Sequence, residues 1–367
     1  MYNWEQADWQ QFHYNEPDFT AIALSFMALA GESKGYLQSL SGHEQAESVV
    51  ELLVKEAIKT SAIEGEFLSR TDLVSSIRRH LGYTTPSYRI KDKRAEGIAV
   101  LLVKVRESYD RDLGEVQLFE WHRLLMAGNN AIQVGQYRSH VEPMQVVSGS
   151  VGKEIVHFEA PPSARVPVEM QTFFDWFNAT KPGGELAIPN LLIRAAIAHV
   201  YFETIHPFED GNGRMGRVIA GKALAQGLKR PILMSLSTTI EADRKAYYAA
   251  LRQAQRTNDL TRWIAYFSET LVKAQQDFIK TIQFILKRTA FFDKYQSYLN
   301  EAQRKVINRM LDEGEEAFEG GMNARKYQSI NGVSKATATR HLQDMVQTGI
   351  LVSDKGGRST NYQVNLH

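Results

Sequence analysis

Apolar residues recur at three- and four-residue spacing over most of the chain, which predicts a mainly α-helical protein. Ala21–Leu40 and Glu44–Thr60 are the first two such stretches, with Gly42 and neighbouring serines marking the break between them. Further helices are expected over Lys93–Tyr109, Val116–Met126 and Val166–Asn178. After Pro182-Gly183-Gly184 a long apolar helix runs from about Pro189 to Ile205, and a second begins near Asn212–Gly213 and continues to about Gly227. Two more cover about Arg244–Gln255 and Leu260–Lys287. No internal repeat or low-complexity tract interrupts the pattern.

The period changes in one place. Between Gly135 and Pro162 the chain is rich in Val, Gly and Ser, and Gln145–His157 alternates apolar and polar positions around a glycine-containing turn. That is the signature of a β-hairpin. A hairpin in a helical protein either lies over something as a lid or ornaments an edge, and the residues leave both readings open.

Composition narrows the classes. The 367 residues are 43% hydrophobic and 23% charged, enough apolar content for two or three cores. The formal net charge is +1, so no global field selects nucleic acid or an anionic membrane, and charge-based binding must be local. With no cysteine there is no disulfide, thiolate zinc site or cysteine nucleophile, which fits a reducing compartment. The N-terminal Met1–Trp9 has neither the basic nor the apolar region of a signal peptide, and no apolar run reaches the roughly 20 residues of a membrane span. The expectation is a cytoplasmic protein with no membrane contact.

Chemistry concentrates in His206-Pro-Phe-Glu-Asp-Gly-Asn-Gly-Arg-Met-Gly-Arg217. Gly211-Asn212-Gly213 sits between two helix-forming stretches, and a glycine-bracketed turn opening a helix aims several backbone N–H groups one way. Such a nest cradles phosphate oxygens. Arg214 and Arg217, three apart, can face the same anion. Basic residues in a first helical turn oppose the macrodipole, which itself argues for an anion nearby. Asp210, just before the nest, can hold a Mg²⁺ that bridges phosphate oxygens. His206 is the natural base for a hydroxyl proton. Phe208 is expected to turn inward and anchor the loop. Singly, a histidine at a helix end is structural and Gly-Asn-Gly is only a turn; the combination carries the reading.

This segment resembles the signature of the Fic family at every defining position, and the resemblance extends to the flanking helices and the hairpin, over roughly residues 100–270. It implies AMP transfer from ATP to a Ser, Thr or Tyr hydroxyl of a target protein. His206 would be the general base and Asp210 the Mg²⁺ ligand. Gly211, Asn212 and Gly213 would form the anion hole, Arg214 would hold the β-phosphate and Arg217 would reach the γ-phosphate. The hairpin would be the flap that aligns the target's backbone, with Val147, Ser148 and Gly149 near nucleotide. Tyr247 and Gln255 would lie near adenine. The target itself is not named by such a site, because a flap reads backbone; the oligomeric state is also open, a homodimer being frequent in the family.

Upstream, Thr60-Ser-Ala-Ile-Glu64-Gly65 resembles the family's inhibitory helix motif. Gly65 should stop the helix, so that Glu64 projects from its end, pairs with Arg217 and fills the place of the γ-phosphate. An ordinary helix end in Glu-Gly is the competing reading.

The last stretch, from Asp293, reads as a separate small domain: helices over Ala302–Glu313, Asn323–Ile330 and Ser334–Thr348, then strands over Gly349–Ser353 and Ser359–Asn365 about the turn Asp354–Arg358. This is a winged helix-turn-helix pattern. As a DNA-binding module it would place Lys335, Thr337, Thr339 and Arg340 in the major groove and Lys355 and Arg358 on phosphate. Glu313, Glu315, Glu316 and Glu319 make it only weakly basic, and docking or dimerisation is the other use of such a module.

The organisation expected is an N-terminal helical region (1–92) with an inhibitory helix near 44–65, a Fic-type helical core with a β-hairpin flap (93–292), and a winged-helix domain (293–367). The rivals are removal of AMP by the same site and a nucleotide-sensing transcription regulator. The Trp4 and Trp9 segment has no assignable role from sequence.

Overall fold

Every residue of α7 (Leu191–Ile205) is buried, and this central helix organises the larger part of the molecule. Its sequence is apolar all round, as a helix enclosed on every side must be. Asn190 starts it by accepting the Leu192 and Ile193 N–H groups on its side-chain oxygen. The cation on this helix, Arg194, donates to the Phe177 and Ala223 carbonyls and to the Thr180 and Gln226 side chains. Those neutral acceptors, rather than a carboxylate, satisfy it, and burial lowers its pKa to about 10.

The protein is seen in a computed structural model that describes residues 1–83, 89–149, 155–311, 320–353 and 360–366. It divides into two compact units, Met1–Gln276 and Asp277–His367. In the first, α1 (Thr20–Ser39), α2 (Gly42–Ile63), α3 (Arg70–His80), α4 (Lys93–Glu107) and α5 (Glu115–Leu125) precede a hairpin of β1 (Gln145–Ser148) and β2 (Ile155–Glu159). Then come α6 (Val166–Ala179), α7, α8 (Asn212–Leu228), α9 (Leu236–Ala242), α10 (Arg244–Ala254) and α11 (Thr261–Tyr295), which contains the division between the units. Helices α3 and α9 are absent from the sequence reading, and α11 runs past Lys287 to Tyr295.

Helix α2 is fastened at both ends. Ser41 and Glu44 form a reciprocal capping box at its start. Farther along, Glu56 accepts from the Ser235 hydroxyl and the Ser237 N–H, and Lys59 pairs with Glu241 at 3.1 Å. At its end the Ile63 carbonyl accepts from Arg244. The hairpin is antiparallel, pairing Gln145 with Glu159 and Val146 with Phe158, and a register shift follows Val146. Residues 150–154, its expected turn, lie outside the described residues, as does the Ser148 side chain.

The second unit has its own core. Val306, Ile307 and Met310 of α12 (Glu301–Leu311), Tyr327 of α13 (Ala324–Asn331), Leu342 and Met345 of α14 (Lys335–Gln347) and Leu351 of β3 (Leu351–Ser353) are all buried in it. Gly332, with φ +66°, ends α13, and the Ser334 hydroxyl caps α14 through the Thr337 N–H. Strand β4 (Tyr362–Val364) pairs antiparallel with β3. Lys335 and Arg340 are exposed on α14 and Thr337 and Thr339 half-buried, while Lys355, Arg358 and the glutamates 313, 315, 316 and 319 lie outside the described residues. Among the described residues no helix is long and apolar enough to cross a membrane.

Candidate active site

Helix α7 stops on His206, a non-glycine residue held at φ +51°. A left-handed residue costs roughly 1–2 kcal/mol and turns the chain sharply out of the helix. Its ring Nδ1 lies 3.3 Å from the Glu203 carbonyl oxygen. A carbonyl only accepts, so Nδ1 carries the proton and Nε2 keeps its lone pair. Burial lowers the pKa to about 4, which keeps the ring neutral at neutral pH. Beneath the turn, Arg138 donates to the Ile205, His206 and Pro161 carbonyls and to the Ser163 hydroxyl. It ties the histidine's backbone to the segment that follows β2.

The loop after His206 is closed from inside. The Asn212 side chain accepts from the Phe208 N–H at 3.0 Å and donates to the Phe208 carbonyl at 2.8 Å. Phe208 is fully buried and stacks on His122 with ring centroids 3.8 Å apart. His122 accepts the Gly135 N–H on Nδ1, so its Nε2 donates to the Asp210 carbonyl. Gly211, at φ +82°, supplies the left-handed step into α8, and a Cβ there would meet the Met126 sulfur at 3.0 Å. Asn212→Ala should cost about 2 kcal/mol in thermal unfolding, because it strands two buried backbone groups. A loss below a few tenths would refute that role.

Two arginines leave the first turns of α8 and meet two carboxylates. Arg217 is buried, donating through Nε to the Thr60 hydroxyl at 2.8 Å and through Nη2 to the Thr60 carbonyl and to Glu64 Oε1, the last at 2.8 Å. Burial pulls its pKa down, but Glu64 outweighs this and holds it above the ordinary value. A Cβ on Gly213 would lie 2.6 Å from Glu64 Oε1, so the carboxylate rests against the glycine of the nest. Arg214 turns the other way and donates to Glu66 Oε1 at 2.8 Å. The two arginines, expected to face one anion, here hold two separate carboxylates. Their carboxylates flank Gly65, whose φ of +80° ends α2 and brings the Glu66 N–H back to the Ser61 carbonyl.

Asp210 stands half-exposed beside the nest, its Oδ1 accepting the Gly211 N–H at 2.6 Å and lying 3.7 Å from Arg214. Among the described residues no group of three or more His, Cys, Asp or Glu side chains is gathered to hold a metal. A lone carboxylate next to an anion nest suits Mg²⁺ that arrives with phosphate, since this ion keeps most of its waters.

A sequence profile of the Fic/DOC family matches residues 112–224, and one of a domain of unknown function, DUF4172, matches residues 2–83. A Fido domain-containing protein of Dictyostelium discoideum is 34% identical over 108 residues, 29% of this chain and 67% of its own. The chain belongs to the Fic/DOC family. Protein adenylyltransferase Fic of Nematostella vectensis is 27% identical over 186 residues, covering 50% of this chain and 38% of that protein. The chain spans 27% to 38% of the length of the first curated adenylyltransferases it matches. A Fic family protein from Desulfovibrio desulfuricans shares the fold, with a TM-score of 0.51 at 21% identity over 94% of this chain and 96% of that one.

Around this Fic core the remaining sequence candidates fall unevenly. Val147 of the hairpin is exposed, as are Ile155 and Val156 across from it, and Gly149 has φ +109°. Tyr247 is buried with its hydroxyl 3.1 Å from His199 Nε2, and Gln255 is buried donating to the Glu203 carbonyl. Both face the interior. The Fic signature in the sequence did not disclose Glu66, Arg138 or His122, whose roles exist only through tertiary contacts.

The N-terminal segment also acquires a place. Trp4 donates its indole N–H to the Glu159 carbonyl at the end of β2, and Tyr2 packs edge-on against Phe158. Asn3, fully buried, reaches Thr204 near the end of α7 and bonds the Gln255 carbonyl through its N–H. Trp9 donates to Glu169 of α6. These residues strap the hairpin's base to the helix that carries His206.

Proposed function

We propose that this chain is a protein adenylyltransferase that moves AMP from ATP to a Ser, Thr or Tyr hydroxyl of a protein and is restrained by Glu64. The observation that carries the reading is a neutral histidine with an available Nε2 beside an anion nest whose two arginines already hold carboxylates. A buried guanidinium left without a counter-charge is costly, so each arginine holds a carboxylate where an anion would otherwise sit. The names of the curated relatives, protein adenylyltransferases, agree with it.

In the proposed reaction the target's hydroxyl oxygen attacks the α-phosphorus, and the bond from that phosphorus to the bridging oxygen breaks. Pyrophosphate leaves, and the hydroxyl proton passes to His206 Nε2. Backbone N–H groups of Asn212 and Gly213, which open α8 beyond the Gly211 N–H held by Asp210, would take the phosphate oxygens, and Arg214 and Arg217 the β- and γ-phosphates once their carboxylates withdraw. Asp210 would hold Mg²⁺, which neutralises phosphate charge when bound. The hairpin, a two-stranded sheet with exposed Val147, Ile155 and Val156, would align the target's backbone along its edge.

Incubation with ATP labelled at either the α- or the γ-phosphate tests this. Label should enter protein from the α position alone; entry from the γ position, or from neither in a Glu64→Gly variant, would refute AMP transfer. The same site also supports removal of AMP, since a carboxylate resting against the nest glycine could orient water. Release of AMP from modified protein, lost in Glu64→Gly, would favour that direction.

A further inference from the structure

Glu66 has no part in the motif that drew attention to Glu64, yet its carboxylate makes the closer approach of the two to Arg214. The pair, at 2.8 Å, joins a guanidinium whose side chain is 4% exposed to a carboxylate that is 28% exposed. One half is thus nearly sealed in the protein and the other reaches solvent. Among the described residues the Arg214 Nε has no hydrogen-bond partner, and Nη2 reaches the Met126 sulfur at 3.6 Å and Asp210 at 3.7 Å. A buried guanidinium has five donors, and Glu66 meets the need incompletely. An oxyanion with several oxygens would satisfy it better.

The wet side of the pair opens on a cavity of about 610 Å³, lined by Glu66, Arg94, Arg214 and residues 125–131. Arg94, in the first turn of α4, is exposed and held by Asp92 at 3.2 Å. Asp92 chiefly, and Glu66 to a smaller degree, raise the Arg94 pKa. A second guanidinium therefore stands across the space into which Glu66 can swing, and leaving Arg214 would not strand the carboxylate.

We propose that Glu66 is a second inhibitory carboxylate, which holds Arg214 in the closed state and turns into the cavity toward Arg94 when a nucleotide arrives. This rests on the reading of the site as nucleotide-binding. Both latches hang on one structure, the end of α2 reversed at Gly65, but each acts on its own arginine. Glu64 rests against Gly213 and holds Arg217, and should govern chiefly whether bound nucleotide is turned over. Glu66 competes only for a binding group, so it should govern how tightly nucleotide is held. The region of unknown function, residues 2–83, would then contribute both restraints.

The decisive measurement is ATP affinity by calorimetric titration in the presence of Mg²⁺, on the full chain. Glu66→Gln on a Glu64→Gly background should tighten ATP about tenfold, within the range of ordinary coupling between sites. Unchanged or weaker binding overturns the proposal. If loss of the pair prevents folding, Glu66→Asp keeps the charge but shortens the reach, and the same two outcomes apply. Arg94→Gln in the otherwise unaltered protein should weaken ATP about fivefold, and unchanged affinity removes Arg94 from the switch. Titration needs no turnover, which separates the two readings. Tighter binding without α-label transfer leaves the latch standing and sinks AMP transfer; transfer with unmoved affinity does the reverse.

Discussion

Glu64→Gly is expected to raise α-label incorporation by one to two orders of magnitude, the effect of removing a coupling of about 1–3 kcal/mol. The site explains why such a change should activate rather than disorder. Arg217 keeps two bonds to Thr60, one to the hydroxyl and one to the carbonyl, so the guanidinium stays in place when the carboxylate goes. What changes is its charge balance. A buried guanidinium that loses its carboxylate is an uncompensated ion, so the variant should melt earlier than wild type without nucleotide. Glu64 is partly exposed, which softens that cost. ATP restores the missing negative charge, and ATP should therefore raise the variant's melting temperature more than the wild type's. Equal rates and equal ATP shifts in the two proteins would remove Glu64 as a brake.

What the sequence disclosed and what it withheld have different physical origins. The segment from His206 to Arg217 was legible because its chemistry is local: the loop, the nest and the helix start are neighbours in sequence. Glu64 stood out only through its resemblance to the family's inhibitory motif, since a helix ending in Glu-Gly is by itself ordinary; its pairing with Arg217 is what the folded chain adds. Glu66 was not legible, since nothing about a residue three beyond the helix reveals which way the chain turns after Gly65. The pairing with Arg214 is set by the αL step and by how α2 is fastened to the 235–244 region. Arg138 and His122 were silent because a buried polar residue spent on backbone carbonyls has no spacing signature.

The missed helices follow the same logic. In α3 the buried positions are Asp72, Leu73, Ser76 and Ile77, so half of its inner face is polar and the apolar period is diluted. Helix α9 is seven residues long, with a serine-threonine run that favours caps over helix interiors, and only Leu236 and Ile240 supply buried apolar bulk. Long apolar helices such as α7 carried the prediction of the mainly helical fold. Short ones depended on neighbours that only the folded chain supplies. Trp4 and Trp9 had no role in the linear sequence for the same reason, because their partners, Glu159 and Glu169, lie far along the chain.

Replacing His206 should remove transfer while sparing nucleotide binding. Asparagine is the informative substitute, since it tolerates the left-handed backbone at φ +51° but offers no basic nitrogen. General-base loss typically costs 10²–10⁴-fold, and a fall of about that size in α-label incorporation is expected with ATP affinity unchanged. The pH dependence supplies the second readout. In the folded protein burial lowers the His206 pKa from 6.5 to about 4, so transfer limited by this base should stay flat from roughly pH 5 to 7 and fall only nearer 4. The same shift sets a stability trend. As pH drops below the unfolded value of 6.5, the unfolded chain binds the proton first, so the contribution present above that pH is lost between 6.5 and about 4. His122 and His199, also lowered by burial, add the same sign in both proteins. Comparing wild type with His206→Asn isolates the one group: between pH 7 and 5 the wild-type melting temperature should fall further. Parallel falls in the two proteins would mean that His206 titrates normally, and a base with an ordinary pKa would then place the acid limb of transfer near 6.5 instead.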